Sequence, residues 1–258
     1  MQRVLFHSTV FGPIHSRRLG TSLGVNLSPD DGKVCSFDCL YCEAGYNAQG
    51  TGTTGLPPRE KVRADLETKL RAMKEAGERL DVITFSGNGE PTLHPDFEGI
   101  VDDTIALRDE YFPDVKISVL SNSTRLGKPS VERALRRVDN NILKLDSAIT
   151  PTMRLIDRPV SADFTSQKVI GELCRFGDSC IIQTMLLRGE HDGKRVDNTT
   201  PEEIAALLDA YSRIRPREVM LYSIDRKTPE EHLEKVSREE LEKVAEKVRS
   251  LGINTIVS

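Results

Sequence analysis

Two patterns alternate along the chain from residue 57 onward, one helical and one strand-like. Val62, Leu66, Leu70 and Met73 recur at spacings of four, four and three, which predicts one face of an amphipathic helix within 57–80. DVITFSG (81–87) is a short apolar run stopped by glycine and reads as a buried strand. The cycle then repeats, with a helical pattern over 97–110 and a strand at VKISVLS (115–121). A short helix over 130–137 leads to a strand at NILKLD (141–146), and a helix over 163–176 leads to CIIQTMLL (180–187). A helix over 201–213 precedes the strand REVMLYSI (217–224). Leu241, Val244, Val248 and Leu251 share one face of a last helix before a terminal strand at INTIV (253–257).

Strands separated by helices imply parallel strands joined by right-handed crossovers. With a first strand over 22–27 there are six strand–helix units and one extra strand. The strand runs are nearly all apolar, as in a parallel sheet whose outer face is covered. Six units fall short of the eight of a closed barrel. The expected fold is therefore α/β, a partial (β/α)6 TIM-like barrel with parallel strands, in preference to a doubly wound sheet. No Pro/Gly linker splits the series, so one domain is expected over 1–258, with 1–21 as a leader and 22–258 as βα units. The Gly/Thr-rich stretch 44–58 reads as a mobile surface segment.

Composition narrows the class. Lys plus Arg is 36 and Asp plus Glu 40, a net charge of −4 over 258 residues, which excludes a highly basic nucleic-acid coat protein but leaves room for a local basic patch. Hydrophobic content of 38% excludes a disordered chain. No apolar run approaches the ~20 residues of a membrane span, and MQRVLFHSTVFGP lacks the apolar stretch of a signal peptide. Five cysteines without an export signal point to the reducing cytoplasm, where clustered thiols mean metal or redox chemistry.

Three of the five, Cys35, Cys39 and Cys42, stand in VCSFDCLYCEAG within the loop 33–45. Three thiolates on one short loop can each bind one iron of a cubane and leave the fourth iron open. A zinc site needs a fourth ligand, for which His15 is the nearest upstream histidine. A disulfide would leave one cysteine over.

The spacing C-x3-C-x-Φ-C with Tyr41 at Φ, placed just after the proposed first strand, resembles the signature of the radical S-adenosylmethionine (SAM) superfamily. The resemblance implies a partial barrel and a [4Fe–4S] cluster on Cys35, Cys39 and Cys42, with SAM chelated to the open iron. It also implies reductive cleavage of SAM to a 5′-deoxyadenosyl radical that abstracts hydrogen from a substrate. SGNGEPT (86–92) is similar to the superfamily's G-G-E-P motif, with Asn88 in the first glycine's place. Glycines ending a strand let backbone approach a ligand, and a glutamate accepts hydrogen bonds from an ammonium group. The motif thus implies that Gly87, Asn88, Gly89 and Glu90 hold SAM, with Tyr41 on its adenine side.

Later strand ends carry further polar groups: Ser121 and Asn122, expected at the SAM ribose or carboxylate; Lys144 and Asp146, two apart and so on one side of a strand; Gln183, with Met185 as an apolar wall for adenine; and Asp225. In a parallel barrel these ends meet at one mouth. Lys144, Asp146 and Asp225 are catalytic candidates by position only; no general acid or base is identifiable.

The leader FGPIHSRRLG (11–20) with SLGVNL narrows the resemblance to an uncharacterised branch similar to wyosine-type tRNA enzymes, and Arg17 and Arg18 are candidate anion holders. Those enzymes are expected to hold a second cluster, for which Cys174 and Cys180 are too few; the pair reads as ordinary thiols or a redox pair. Arg125 and Lys128 stand clear of acids, but Asp146 and Asp157 offset Arg154 and Arg158, and Glu190, Asp192 and Asp197 offset Arg188, Lys194 and Arg195. The expected substrate is thus an unidentified small molecule, peptide or tRNA, with a flavodoxin or ferredoxin as electron donor. The readings left open are wyosine-type tRNA modification, and a zinc or Fe–S structural or electron-transfer module without SAM chemistry.

Overall fold

The computed structural model describes residues 3–16 and 19–258. Arg17 and Arg18 lie outside the described residues. In chain order the elements are β1 (Val10–Ser16), β2 (Gly20–Val25), α1 (Arg59–Glu75), β3 (Val82–Phe85), α2 (Phe97–Tyr111), β4 (Lys116–Ser121), α3 (Pro129–Leu135), β5 (Asn140–Lys144), α4 (Thr150–Asp157) and α5 (Ser166–Phe176). There follow β6 (Cys180–Met185), β7 (Leu187–His191), β8 (Lys194–Asp197), α6 (Pro201–Ile214), β9 (Glu218–Tyr222), β10 (Leu233–Lys235), α7 (Arg238–Arg249) and β11 (Asn254–Val257).

One sheet runs β1-β2-β3-β4-β5-β6-β9-β11, all neighbours parallel except β1, which pairs antiparallel with β2. Its seven parallel strands and their helices are the expected six units and one extra strand. Alternate residues divide two environments. Leu23, Ile83, Ile117, Val119, Leu143, Ile182, Val219 and Leu221 join the layer under the helices, where Val62, Leu66, Leu70 and Met73 form the predicted face of α1. Ile142, Ile181 and Met220 form a small core of their own on the barrel's inner side, with Leu19 and Leu120 against it.

Three expectations are corrected. The leader is part of the sheet rather than a segment ahead of it: residues 10–16 form β1, because β2 would otherwise expose its backbone edge. The last helix stops at Arg249, so Leu251 falls in the turn beyond it and is exposed. The stretch 44–58 is exposed at its tip but tied down: Asp31 accepts from the amides and hydroxyls of Thr53 and Thr54, and Lys33 Nζ donates to Gly45 O at 2.8 Å.

Two features lack a periodic signal. α4 has only eight residues, with Met153 and Ile156 as its buried apolar positions. β10-β7-β8 form a second sheet whose strands are mostly charged and which buries chiefly Leu187 and Val196. Its hairpin turns on Asp192 and Gly193, both at positive φ (49° and 71°), the conformation for which Asp-Gly is preferred. No helix among the described residues is long and apolar enough to cross a membrane.

Candidate active site

The cysteine loop leaves the C-terminal end of β2 and folds over the mouth of the barrel. It is held there first by backbone. Val34 N donates to Asn88 O at 3.0 Å and Glu90 N to Val34 O at 3.0 Å, a parallel bridge between the loop and the turn after β3. Gly89 permits that approach: a Cβ there would lie 1.9 Å from Val34 O, at a φ of 152° that disfavours a side chain. On the other side Leu40 N donates to Ile156 O and Asp38 N to Asp157 O, each at 3.0 Å. Lys33, only 1% exposed, lies 3.5 Å from Asp38 inside the loop.

Cys35, Cys39 and Cys42 are free thiols gathered on this loop. Phe37 N and Asn122 Nδ2 each point at Cys35 Sγ from 3.5 Å, and Lys144 Nζ lies 3.6 Å from Cys39 Sγ. N–H donors aimed at sulfur favour thiolates. Burial pushes the Cys35 thiol up to about 11, with Glu90 adding to it, and raises Cys39 further; bound iron removes those protons. Among the described residues no three His, Cys, Asp or Glu side chains converge to hold one metal ion. A cubane asks instead that each thiolate reach a different iron. His15, the expected fourth zinc ligand, pairs with Thr21 at the other end of β2 from this loop. The donor set therefore fits an iron–sulfur cluster.

Glu90 lies beside Cys35, fully enclosed. Oε1 accepts from Thr92 N (3.0 Å), from the Thr92 hydroxyl and from Ser121 Oγ (2.9 Å); Oε2 accepts from Asn122 N at 2.6 Å. Burial raises its pKa, and the bonds to Asn122, Thr92 and Ser121 pull the other way. Ser121 and Asn122 thus spend a hydroxyl and an amide on Glu90. Asn88 has every polar group engaged: its side chain bonds Phe6 N (2.8 Å), Phe6 O (2.9 Å) and Pro29 O (2.8 Å), and its N–H donates to Asn26 Oδ1. The departure from glycine therefore fastens the leader to the turn. Gly87 makes room for Asn26.

Beside Cys39 stands a buried charged group. Lys144 Nζ is 3.4 Å from Asp146 Oδ2 and 3.7 Å from Asp157 Oδ1. It donates to the Tyr41 hydroxyl, which in turn donates to Asp146, and it lies 4.6 Å from the Tyr41 ring centre. Burial works against its charge, but Asp146, Cys39 and Asp157 together raise its pKa well above the usual lysine value. Burial, then Asp146, raises Asp157 well above the carboxylate range. Asp146 Oδ1 accepts from Met185 N at 2.8 Å, and Asn198 bridges Asp146 O and Met185 O at 2.8 and 2.7 Å, joining the ends of β5 and β6.

The structure thus brings Tyr41, Lys144, Asp146, Met185, Glu90, Ser121 and Asn122 around the three cysteines. Gln183 is half-buried on the inner side of β6, two residues before Met185. Asp225 is at the rim, paired with Lys235 at 3.2 Å, and shares with Tyr41, Met185 and Tyr222 a cavity of about 80 Å³. A larger concavity, about 930 Å³, lies elsewhere, against the second sheet around Arg188, Arg195 and His232. Asn198 escaped the sequence reading, in which Asp157 figured only as a partner for arginines. The charge pairing also differs: Lys144, not Arg154 or Arg158, meets Asp146 and Asp157. Arg158 faces Asp38, Arg154 donates to backbone carbonyls, and Arg188 pairs with Glu240. Cys180 begins β6 and Cys174 is exposed near the end of α5, both at the far end of the barrel from Cys35.

Residues 31–147 match the model of the radical SAM superfamily, spanning the cysteine loop, the Glu90 turn and the Lys144–Asp146 strand end. The chain belongs to that superfamily, whose enzymes use a [4Fe–4S] cluster and SAM. Within it the chain belongs to the UPF0026 family. It is 31% identical over 225 residues to a UPF0026 protein of Synechocystis sp., covering 85% of this chain and 77% of that one. It is also 29% identical over 241 residues to a protein of Brachyspira hyodysenteriae called GTPase Obg, covering 91% of this chain but 32% of the relative, so it spans about a third of that protein's length. Among solved structures it resembles a radical SAM methyltransferase from Sphaerobacter thermophilus (TM-score 0.68, 17% identity, 92% of this chain and 65% of that one). Similar folds are Streptococcus suis SuiB bound to S-adenosylmethionine (TM-score 0.64, 16% identity, 91% and 50%) and TYW1 with a lysine-pyruvate adduct bound (TM-score 0.60, 16% identity, 90% and 75%).

Proposed function

We propose that this chain binds a [4Fe–4S] cluster through Cys35, Cys39 and Cys42 and reductively cleaves SAM for hydrogen abstraction from a substrate still to be identified. The observation that carries the reading is the coupling of loop and motif: Asn122 donates its side chain to Cys35 and its amide to Glu90, so ligand and carboxylate are placed by one residue. The cluster and SAM together supply the 5′-deoxyadenosyl radical. Glu90 Oε2, with one protein donor, accepts the SAM ammonium. Ser121 and Asn122 hold that carboxylate in place and border the ribose or carboxylate. Tyr41 and Met185 wall the adenine side, and Asp146 and Gln183 present polar groups to the cofactor. The apolar ring of Phe37, Leu40, Ile156 and Leu187 keeps water from the site. A small one-electron carrier such as a flavodoxin or ferredoxin supplies the electron.

Wyosine-type tRNA chemistry gains little from this geometry. Cys174 and Cys180 sit away from the mouth, so neither can serve a second cluster there. Anaerobic reconstitution tests the main reading. About four irons and four sulfides per chain, with 5′-deoxyadenosine released on reduction with SAM, support it. One zinc and intact SAM would show a metal-stapled module instead. Salt-sensitive tRNA binding in a gel-shift titration would bring the tRNA reading back.

A further inference from the structure

We propose that the Lys144 ammonium, fixed by Asp146 and Tyr41 and set 3.6 Å from Cys39 Sγ, is the positive charge that makes the cluster easier to reduce. The inference rests on the cluster-binding reading above. Four groups hold the ammonium: the Asp146 carboxylate at 3.4 Å, Asp157 at 3.7 Å, the Tyr41 hydroxyl, and the Tyr41 ring at 4.6 Å. Asp146 is in turn pinned by Met185 N and Asn198, so the amine has little freedom to swing toward solvent. The Lys144 side chain is 14% exposed and that of Asp146 is fully buried, so water screens the charge weakly.

Reduction adds one electron to the cluster and breaks no bond; the reduced form carries one more negative charge. A fixed cation at a ligand sulfur stabilises that form, since net charge, hydrogen bonds to sulfur and solvent exposure set the potential of such clusters. Among the described residues the donors to Cys35 are neutral, Phe37 N and Asn122. At Cys39 the contacts are of a different kind: Sγ lies 3.6 Å from Lys144 Nζ and donates to Asp157 Oδ1 at 3.5 Å, so Lys144 is the cation among these sulfur contacts. Lys144 is thus a positioning residue that acts through Cys39, distinct from the groups expected to touch SAM at Glu90.

The test is an anaerobic redox titration of the reconstituted full chain, followed by the spectrum of the reduced cluster, in the parent, K144R, K144M and K144Q. The parent and K144R are expected to share one potential. In K144M and K144Q the equilibrium constant for reduction should fall at least tenfold, about 59 mV for one electron. If the parent and all three variants hold the cluster and their reduction constants lie within threefold of each other, the inference is overturned while cluster binding stands. It is equally overturned if K144R falls as far as K144M, which would make shape the cause. Loss of the cluster in both neutral variants, with K144R loaded, also overturns it by assigning Lys144 to the fold. A parent chain that binds no cluster refutes the functional reading itself.

Discussion

The two sides of the cysteine loop solve the same problem, burying polar groups beside a metal site, by different means. At Cys35 one carboxylate, Glu90, is surrounded by uncharged donors from Thr92, Ser121 and Asn122. At Cys39 a cation and two carboxylates, Lys144, Asp146 and Asp157, are buried against one another with Tyr41 between. The first arrangement joins two neighbouring strand ends: Thr92 follows Glu90 by two positions, and Ser121 and Asn122 sit side by side at the end of β4. The second gathers residues from the loop, the end of β5 and the end of α4, and the Lys144 and Asp146 charges are tolerable only because each has the other. A neutral cradle loses hydrogen bonds when it is broken. A charged cluster loses its compensation.

That difference predicts an order of effects. Asp146→Ala strands the Met185 amide and deprives Lys144 of its nearest carboxylate, so urea denaturation of the metal-free chain should show a loss of about 4 kcal/mol. Glu90→Ala leaves the Thr92 and Asn122 amides without an acceptor and should cost about 3 kcal/mol in the same experiment. It should also cut SAM cleavage by about a hundredfold, roughly 2.7 kcal/mol of barrier, read as 5′-deoxyadenosine released. A larger stability loss at Glu90 than at Asp146 would refute the contrast.

Asn88→Gly restores the glycine of the motif but removes three side-chain bonds to Phe6 and Pro29, and should cost about 2 kcal/mol. Limited proteolysis should then cut within residues 3–9 before the barrel; an unchanged digestion pattern would show that the leader is held by other contacts. The smallest effect concerns the outer edge of the loop. Bonds from Thr53 and Thr54 hold the Asp31 pKa far below its unfolded value of about 3.9. A depressed carboxylate stabilises above the unfolded value and loses that contribution as pH falls through the folded one. The protection of the Thr53 and Thr54 amides, read as exchange relative to the intrinsic rate at each pH, should therefore fall only in strong acid, and a fall near neutral pH would contradict the assignment.

Much of this was legible in one dimension. The buried face of α1 and the parallel strands follow from apolar spacing. The cysteine loop and the Glu90 turn are contiguous stretches whose chemistry survives without knowing the fold. The second sheet was less visible because its strands are half-exposed and charged, although Asp192-Gly193 is a hairpin signal. The pairing of Arg154 and Arg158 with Asp146 and Asp157, plausible from proximity in sequence, is not what forms. Lys144 reaches those carboxylates first, from the inner face of β5 beneath the loop, while the arginines turn outward.

The strand–helix alternation, the cluster loop with its three thiols, and the membership that the loop and the Glu90 turn announce are all written in the linear chain. These are set by periodicity and by ligand spacing, which act over a few residues. It took packing to settle that Asn88 fastens the leader, that Asn122 serves both Cys35 and Glu90, that His15 lies at the wrong end of β2 for the cluster, and that Lys144 stands against Cys39 with Asp157 beside it. Those contacts depend on strand register and on which face of each strand turns inward, and both are settled when the whole sheet packs.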